Sequence, residues 1–199
     1  AGLPATYIGH PVLDALPADG TAARAPGIAR RPRPVALLPG SRPSEVAQNM
    51  PLLLNAARRI LASHPDASFH TAHVADAERQ AVAAHAARAG VPLSVHGADV
   101  YAVMASCRCA VVASGTATLE TALLGTPLVV VYRVSAMFRL IGRTLLVPEW
   151  VSPVNLVAGR EVCPEIVQSS DDPAALVAAL TPLLEDGPAW STQQEGLAD

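Results

Sequence analysis

The chain is 199 residues long, with 51% hydrophobic and 16% charged residues and a formal net charge of −3. That composition provides ample apolar surface to bury, so disorder over most of the length is excluded, and the size suits one compact domain of roughly 100–200 residues. The balance of charge excludes a global basic field for nucleic acid. All 14 basic residues are Arg, which removes lysine Schiff-base chemistry and the lysine-containing phosphate loop.

Residues 1–13 contain "ATYIGHP", which ends a short strand and enters a loop. The start lacks the basic segment and long apolar core of a signal peptide, and no run approaches the ~20 apolar residues of a transmembrane helix. There is no initiating Met, so the chain is expected to be part of something longer. Residues 14–34, rich in Pro, Ala, Gly and Arg, read as a surface connection. From residue 35 to 186 the pattern alternates strands with helices, and residues 187–199 read as a polar tail.

Within that domain, "PVALLPG" is a buried strand ending at a turn. The helix "SEVAQNMPLLLNAARRILAS" follows, with Ser44 as its cap and Pro51 expected to kink or divide it. "ASFHTAHV" is a second strand, and "DAERQAVAAHAARAG" a helix closed by Gly90. "PLSVHG", "CAVVAS" and "PLVVVYR" are further strands, separated by the helices "ADVYAVMASC" and "GTATLETALLG". "SAMFRLIGRTLLV" is another helix, and "PEWVSPVNLVAGREVCPEIVQ" reads as a looped stretch. A last helix, "DDPAALVAALTPLLEDG", starts with Asp171 or Asp172 as cap and Pro173 in its first turn. Strands without polar alternation, separated by helices, predict an α/β fold: a Rossmann-like parallel sheet with helices on both faces. Such sheets bind ligands at the carboxyl ends of their strands, so the turns after "VALL" and "AVVA" are the places to look.

The first turn is "LLPGSRPSE". Gly40 permits close approach of a bulky anion, Ser41 offers a hydroxyl, and Arg42 a planar fork suited to phosphate. An ordinary strand-to-helix turn with a solvated Arg would read the same way. The second turn is "SGTATLE". Ser114 and Thr116 are candidate caps, and Gly115 and Ala117 leave room at a helix start that favours an anion. Glu120 lies four residues after Thr116 on the same face, one turn behind the anion site and within reach of vicinal hydroxyls, as in dinucleotide folds. The alternative for Glu120 is a favourable interaction with the helix dipole alone. There is no GxGxxG and no DxD. Neutral turns, helix dipoles and Arg42 would therefore stabilise a leaving diphosphate without metal. His70 and His73 are weighed as metal ligands and set below a plain structural role. Cys107, Cys109 and Cys163 read as buried thiols without a disulfide framework.

The strings "LLPGSRPSEV", "ASGTATLETALLGTPLVVVYRVS" and "VNLVAGREVCPEIVQ", with "YIGHPVLD" near the start, resemble the lipid-A-disaccharide synthase family, C-terminal half. The likeness runs from about Tyr7 to Leu184. "SGTATLE" alone also suits other two-domain glycosyltransferases and sugar-nucleotide epimerases. The resemblance implies a GT-B architecture of two Rossmann-like halves, with residues 1–13 crossing from the other half. It implies transfer from a UDP-linked diacylglucosamine donor to a diacylglucosamine 1-phosphate acceptor. The acceptor's 6-hydroxyl attacks the anomeric carbon with inversion, and UDP leaves. No cofactor is implied.

On this resemblance Gly40, Ser41 and Arg42 form the first phosphate turn, and Ser114, Gly115, Thr116 and Ala117 the second. Glu120 is the ribose-binding acid. Asn155 matches the Asn of the family's "PNLLAG" segment, and a loop Asn bonding its own backbone is the alternative there. The general base belongs to the N-terminal half, with His10 a lesser candidate, so no catalytic residue is assigned within this chain. The helix "SAMFRLIGRTLLVPEW" places Arg139 and Arg143 on one face and Met137, Phe138, Ile141 and Leu145 largely on the other. That pattern fits a membrane or acceptor surface, and equally a helix packed on the sheet or against a second chain in a homodimer. The resemblance implies a cytoplasmic protein peripheral to the inner face of the bacterial inner membrane. A related epimerase, or a silent UDP-binding or dimerisation module, stays open as an alternative.

Overall fold

The apolar runs form the strands of one parallel sheet, and the stretches between them form helices that cover it. The computed structural model describes residues 25, 28, 33–72, 76–97, 99–134 and 150–198. Strand β1 (Arg33–Leu38) leads into helix α1 (Pro43–Ser63), β2 (Ala67–Ala72) into α2 (Asp76–Ala89), and β3 (Leu93–His96) into α3 (Val100–Ser106). Then come β4 (Cys109–Ala113), α4 (Thr116–Leu123), β5 (Leu128–Arg133), α5 (Pro153–Ala158), β6 (Glu165–Gln168), α6 (Ala174–Leu184) and α7 (Pro188–Ala198).

The strand order is β3-β2-β1-β4-β5-β6, with every neighbouring pair parallel. The chain builds outward from β1 to β3, returns to lay β4 beside β1, and builds outward on the other side. The direction therefore reverses between β1 and β4, which is the switch point where ligands of such sheets bind. Leu38 pairs with Val112 in register, so the turns that follow these two strands leave the sheet side by side.

Alternate strand residues face opposite layers. Val35, Leu37, Phe69 and Val111 pack with Met50, Leu53 and Ile60 of α1 and Leu176 and Leu180 of α6. Leu38, Val112 and Val130 pack on the other face with Val103 and Met104 of α3 and Ala122 of α4. Leu37, Met50, Ile60, Phe69 and Leu180 are at most 1% exposed. Burying a side chain of that size stabilises the fold by about 1.5–3 kcal/mol.

Several local expectations are corrected. Helix α1 starts at Pro43, with Arg42 at the cap position and Ser44 inside the first turn, because Glu45 closes a capping box on the Arg42 amide. Pro51 does not divide α1; buried Met50, Leu52, Leu53 and Leu54 around it offset the roughly 3 kcal/mol cost of an interior proline. Pro173 occupies the cap position of α6, and Asp172 Oδ1 accepts the Ala174 amide at 3.0 Å. Gly90 and Gly125 close α2 and α4 with φ of +65° and +67°.

The stretch read as a loop before residue 169 contains α5 and the sixth strand, β6. Within the expected tail, Pro188–Ala198 forms α7, and the buried Gln193 side chain accepts from Leu128 N and donates to Leu128 O, tying it to β5. In the expected surface connection, Ala25 and Ile28 are buried, and Ala25 N donates to Ser106 Oγ at 2.9 Å.

Candidate functional site

β1 ends in the turn Pro39–Arg42. Gly40 takes φ +115°, a conformation that L side chains rarely adopt, and a Cβ there would sit 2.5 Å from Glu45 Oε2. Asn49, one turn beyond Glu45 in α1, donates Nδ2 to the Pro39 carbonyl at 2.7 Å and so pins the start of the turn. Glu45 Oε2 accepts from Ser41 N at 3.0 Å and Arg42 N at 3.2 Å, and Glu45 Oε1 accepts from Arg42 Nη1 at 2.9 Å. The Arg42 fork expected to reach for phosphate is thus bridged to a carboxylate of its own helix, while its side chain remains 78% exposed.

β4 ends at Ala113, and the amide of the next residue, Ser114, donates to Val131 O at 2.9 Å. Gly115 is the cap residue of α4, and no side chain caps the helix. Neither Ser114 nor Thr116 plays the capping role expected of it. The hydroxyls of the first turns point backward instead: Thr118 Oγ1 donates to Gly115 O and Thr121 Oγ1 to Ala117 O, each at 2.7 Å. Thr118 N already donates to Gly115 O at 3.1 Å, which leaves the Thr116 and Ala117 amides for an external acceptor, where the helix dipole favours negative charge.

Both turns border one cavity of about 580 Å³, which is lined by Gly40 to Arg42, Ser114 to Ala117, Glu45 and Glu120. Glu120, one turn into α4, accepts a hydrogen bond from Tyr101 Oη at 3.2 Å. Burial, and then the nearby Glu120 carboxylate, push the Tyr101 hydroxyl above its ordinary pKa, so it stays a donor at neutral pH. A groove of about 600 Å³ runs between α6 and α7, lined in part by Ala179, Pro182, Leu183 and Pro188. It lies beside those helices and is not bordered by either strand-end turn.

Eight of the nine residues expected at the nucleotide site thus share this cavity. Asn155 does not. It is fully buried, with Nδ2 donating to Cys163 O and Glu165 Oε1, both at 2.8 Å. Its Oδ1 accepts from Val162 N at 2.8 Å and Cys163 N at 3.0 Å. Two amide hydrogens and two lone pairs are all in use, so Asn155 ties α5 to the approach of β6 and leaves no polar atom for a ligand.

Glu45, Asn49 and Tyr101 are site residues that sequence reasoning missed. The signal for Glu45 was its spacing three residues after the cap position, the mark of a capping box. Met137, Phe138, Arg139, Arg143, His10 and His73 lie outside the described residues. Among the described residues no cluster of His, Cys, Asp and Glu suits a metal ion, and no helix is long and apolar enough to cross a membrane. His70 faces His96, with Nδ1 and Nε2 3.2 Å apart, and its other ring nitrogen lies 3.0 Å from Ser68 Oγ. Cys107, Cys109 and Cys163 are buried, and burial pushes the Cys109 and Cys163 thiols up to about 12.

A parallel six-stranded sheet with paired turns at its switch point defines a Rossmann-like domain of the kind found in GT-B glycosyltransferases. The chain belongs to the LpxB family, described as lipid-A-disaccharide synthetase, whose model matches residues 1–197. It is similar to the lipid-A-disaccharide synthase of Thiobacillus denitrificans, 42% identical over 190 residues, covering 94% of this chain and 50% of that protein. It is likewise similar to that of Pseudomonas aeruginosa strain UCBPP-PA14, 38% identical over 190 residues, covering 94% of this chain and 50% of that protein. The chain spans about half the length of the curated relatives it matches.

Solved structures share the fold. The C-terminal CMP-Kdo binding domain of WaaA from Acinetobacter baumannii has a TM-score of 0.57 at 12% identity, covering 86% of this chain and 89% of that one. WaaG, a glycosyltransferase involved in lipopolysaccharide biosynthesis, has 0.53 at 16%, covering 86% and 43%. The pneumococcal O-GlcNAc transferase GtfA, in complex with UDP and GlcNAc, has 0.51 at 16%, covering 89% and 34%.

Proposed function

We propose that this chain is the donor-binding half of a lipid-A-disaccharide synthase, holding UDP-2,3-diacylglucosamine for transfer to 2,3-diacylglucosamine 1-phosphate. The observation that carries the reading is the meeting of the Gly40–Arg42 turn, the uncapped start of α4 and the Glu120 carboxylate around one cavity. Family membership supports the reaction class, and the neighbour solved with UDP and GlcNAc supports the nucleotide.

In this reading the diphosphate lies against the first amides of α4 and the Arg42 guanidinium. The acceptor's 6-hydroxyl attacks the anomeric carbon of the donor from the face opposite UDP, the C–O bond to the diphosphate breaks, and configuration inverts. Negative charge grows on the leaving diphosphate, and donors already oriented toward it lower the barrier without reorganising. Glu120, steadied by Tyr101, accepts from the ribose hydroxyls. The proton of the attacking hydroxyl goes to a base outside this half, and the diphosphate is neutralised by dipole and guanidinium rather than by a metal ion. The protein works at the inner face of the inner membrane, where both glycolipids lie, with residues 135–150 as the surface toward membrane or acceptor.

Calorimetric titration of UDP into the chain tests the donor site. Adding an N-terminal half from a relative with both glycolipids tests the reaction. Heat on UDP addition followed by disaccharide formation is the expected result. No heat rejects the donor reading, and binding without product after complementation favours a silent nucleotide-binding module.

A further inference from the structure

The cavity assigned to the diphosphate already contains an anion of the protein's own. Glu45 sits inside the first turn, with Oε2 on the amides of Ser41 and Arg42 and Oε1 on the Arg42 guanidinium. These are the groups that a phosphate oxygen approaching Gly40 would use. The space is filled as well as the donors: a Cβ added at Gly40 would lie 2.5 Å from Oε2 and 2.7 Å from Cβ of Glu45. Among the described residues lining the cavity, Arg42 is the basic one, set against the carboxylates of Glu45 and Glu120. A diphosphate entering this turn brings further negative charge onto donors that a carboxylate holds, and like charges cannot share them without cost.

We propose that Glu45 is a resident anion of the phosphate turn, which competes with the donor diphosphate and swings out when the nucleotide is captured. The proposal rests on the reading of the cavity as a nucleotide-diphosphate site. Glu45 holds the turn in shape while the site is empty, through the capping box at the start of α1. Release of Ser41 N, Arg42 N and the guanidinium then hands the phosphate three preformed donors. The movement needs only side-chain rotation, because Glu45 is partly exposed and lies at the edge of the cavity. Glu45 is thus a positioning residue that sets donor affinity and does not touch the reacting atoms.

A plain capping role makes the opposite prediction, and Glu45→Gln separates the two. Glutamine keeps an oxygen for the two turn amides and loses the charge. Calorimetry with UDP and with uridine, on wild type and E45Q, should show E45Q binding UDP about tenfold tighter, with uridine affinity unchanged. A thermal melt establishes that the variant is folded. In the wild-type chain, the Ser41 and Arg42 amide resonances should shift on saturation with UDP and stay in place with uridine.

Equal or weaker UDP binding by folded E45Q overturns the proposal and leaves the nucleotide reading standing, as do unmoved Ser41 and Arg42 amides in UDP-saturated wild type. Failure of both proteins to bind either UDP or uridine overturns the nucleotide reading, and this proposal with it.

Discussion

Tyr101, on α3, donates its phenolic hydrogen to Glu120, on α4, at 3.2 Å. The two residues are 19 positions apart, and they meet because α3 and α4 flank β4 at the switch point. One carboxylate oxygen is occupied by the phenol, and the other carries no hydrogen bond among the described residues. Glu120 also lines the cavity, so the phenol restrains a carboxylate that a ligand there can reach.

Replacing Tyr101 with Phe removes that restraint and keeps the ring. UDP affinity should fall about threefold to tenfold, the size of one hydrogen bond worth roughly 0.5–1.5 kcal/mol. The pH dependence has a definite sign. The folded chain holds the phenolic proton more tightly than an ordinary Tyr, so the bond's contribution is complete below the ordinary Tyr pKa and is lost as pH rises through the raised value. Calorimetry from neutral to alkaline pH should show a wild-type advantage that disappears only at the alkaline end.

Glu120→Ala removes the acceptor itself. Hydrogen bonds to a charged group are worth about 1.5–3 kcal/mol, so UDP affinity should drop about tenfold to a hundredfold. The 2′-deoxy analogue of UDP lacks a hydroxyl that the carboxylate would accept from, and it should lose less. Equal losses for the two ligands would show that Glu120 does not read the ribose.

Asn155→Ala should act on stability. Four hydrogen bonds in a fully buried site are lost and the Val162 and Cys163 amides and the Cys163 carbonyl lose that partner, while Glu165 keeps the Val151 and Ser152 amides, at a cost of about 2–4 kcal/mol. Urea unfolding should register that loss as a lower midpoint. UDP affinity of the remaining folded protein should match wild type; a selective loss of UDP binding at wild-type stability would return Asn155 to the nucleotide site.

The Cys109 and Cys163 thiols, held protonated by burial up to about 12, should be inert to Ellman's reagent in the native chain and react on unfolding. Because their folded pKa lies above the ordinary thiol value, the stability they contribute is full below that ordinary value. It declines as pH rises through the folded one. A denaturation midpoint that falls on the alkaline side, and falls less when Cys109 is replaced by Ala, checks the sign.

Much of this protein is local and therefore written along the chain. Unbroken apolar runs such as "VALL" and "AVVA" specify strands buried on both faces, and glycines at 90 and 125 end helices because only a left-handed residue closes them cheaply. The small residues from Ser114 to Ala117 mark an open helix start, and an acid four residues past Thr116 must share its face. Those are consequences of backbone sterics and helical period, which neighbours in sequence decide.

The tertiary structure decided which groups meet. Short strand β6 carries too few residues for a periodic signal and exists through its pairing with β5, while Gln193 turns the polar end of the chain into a helix pinned on Leu128. Whether an Asn serves a ligand or the fold depends on how many partners its four hydrogen-bonding positions find, and Asn155 finds them all within the protein. Glu45 in the phosphate turn and Tyr101 on Glu120 have the same origin. A side chain's partner is set by free energies of desolvation and geometry in three dimensions, and these come into being only when the strands stand side by side.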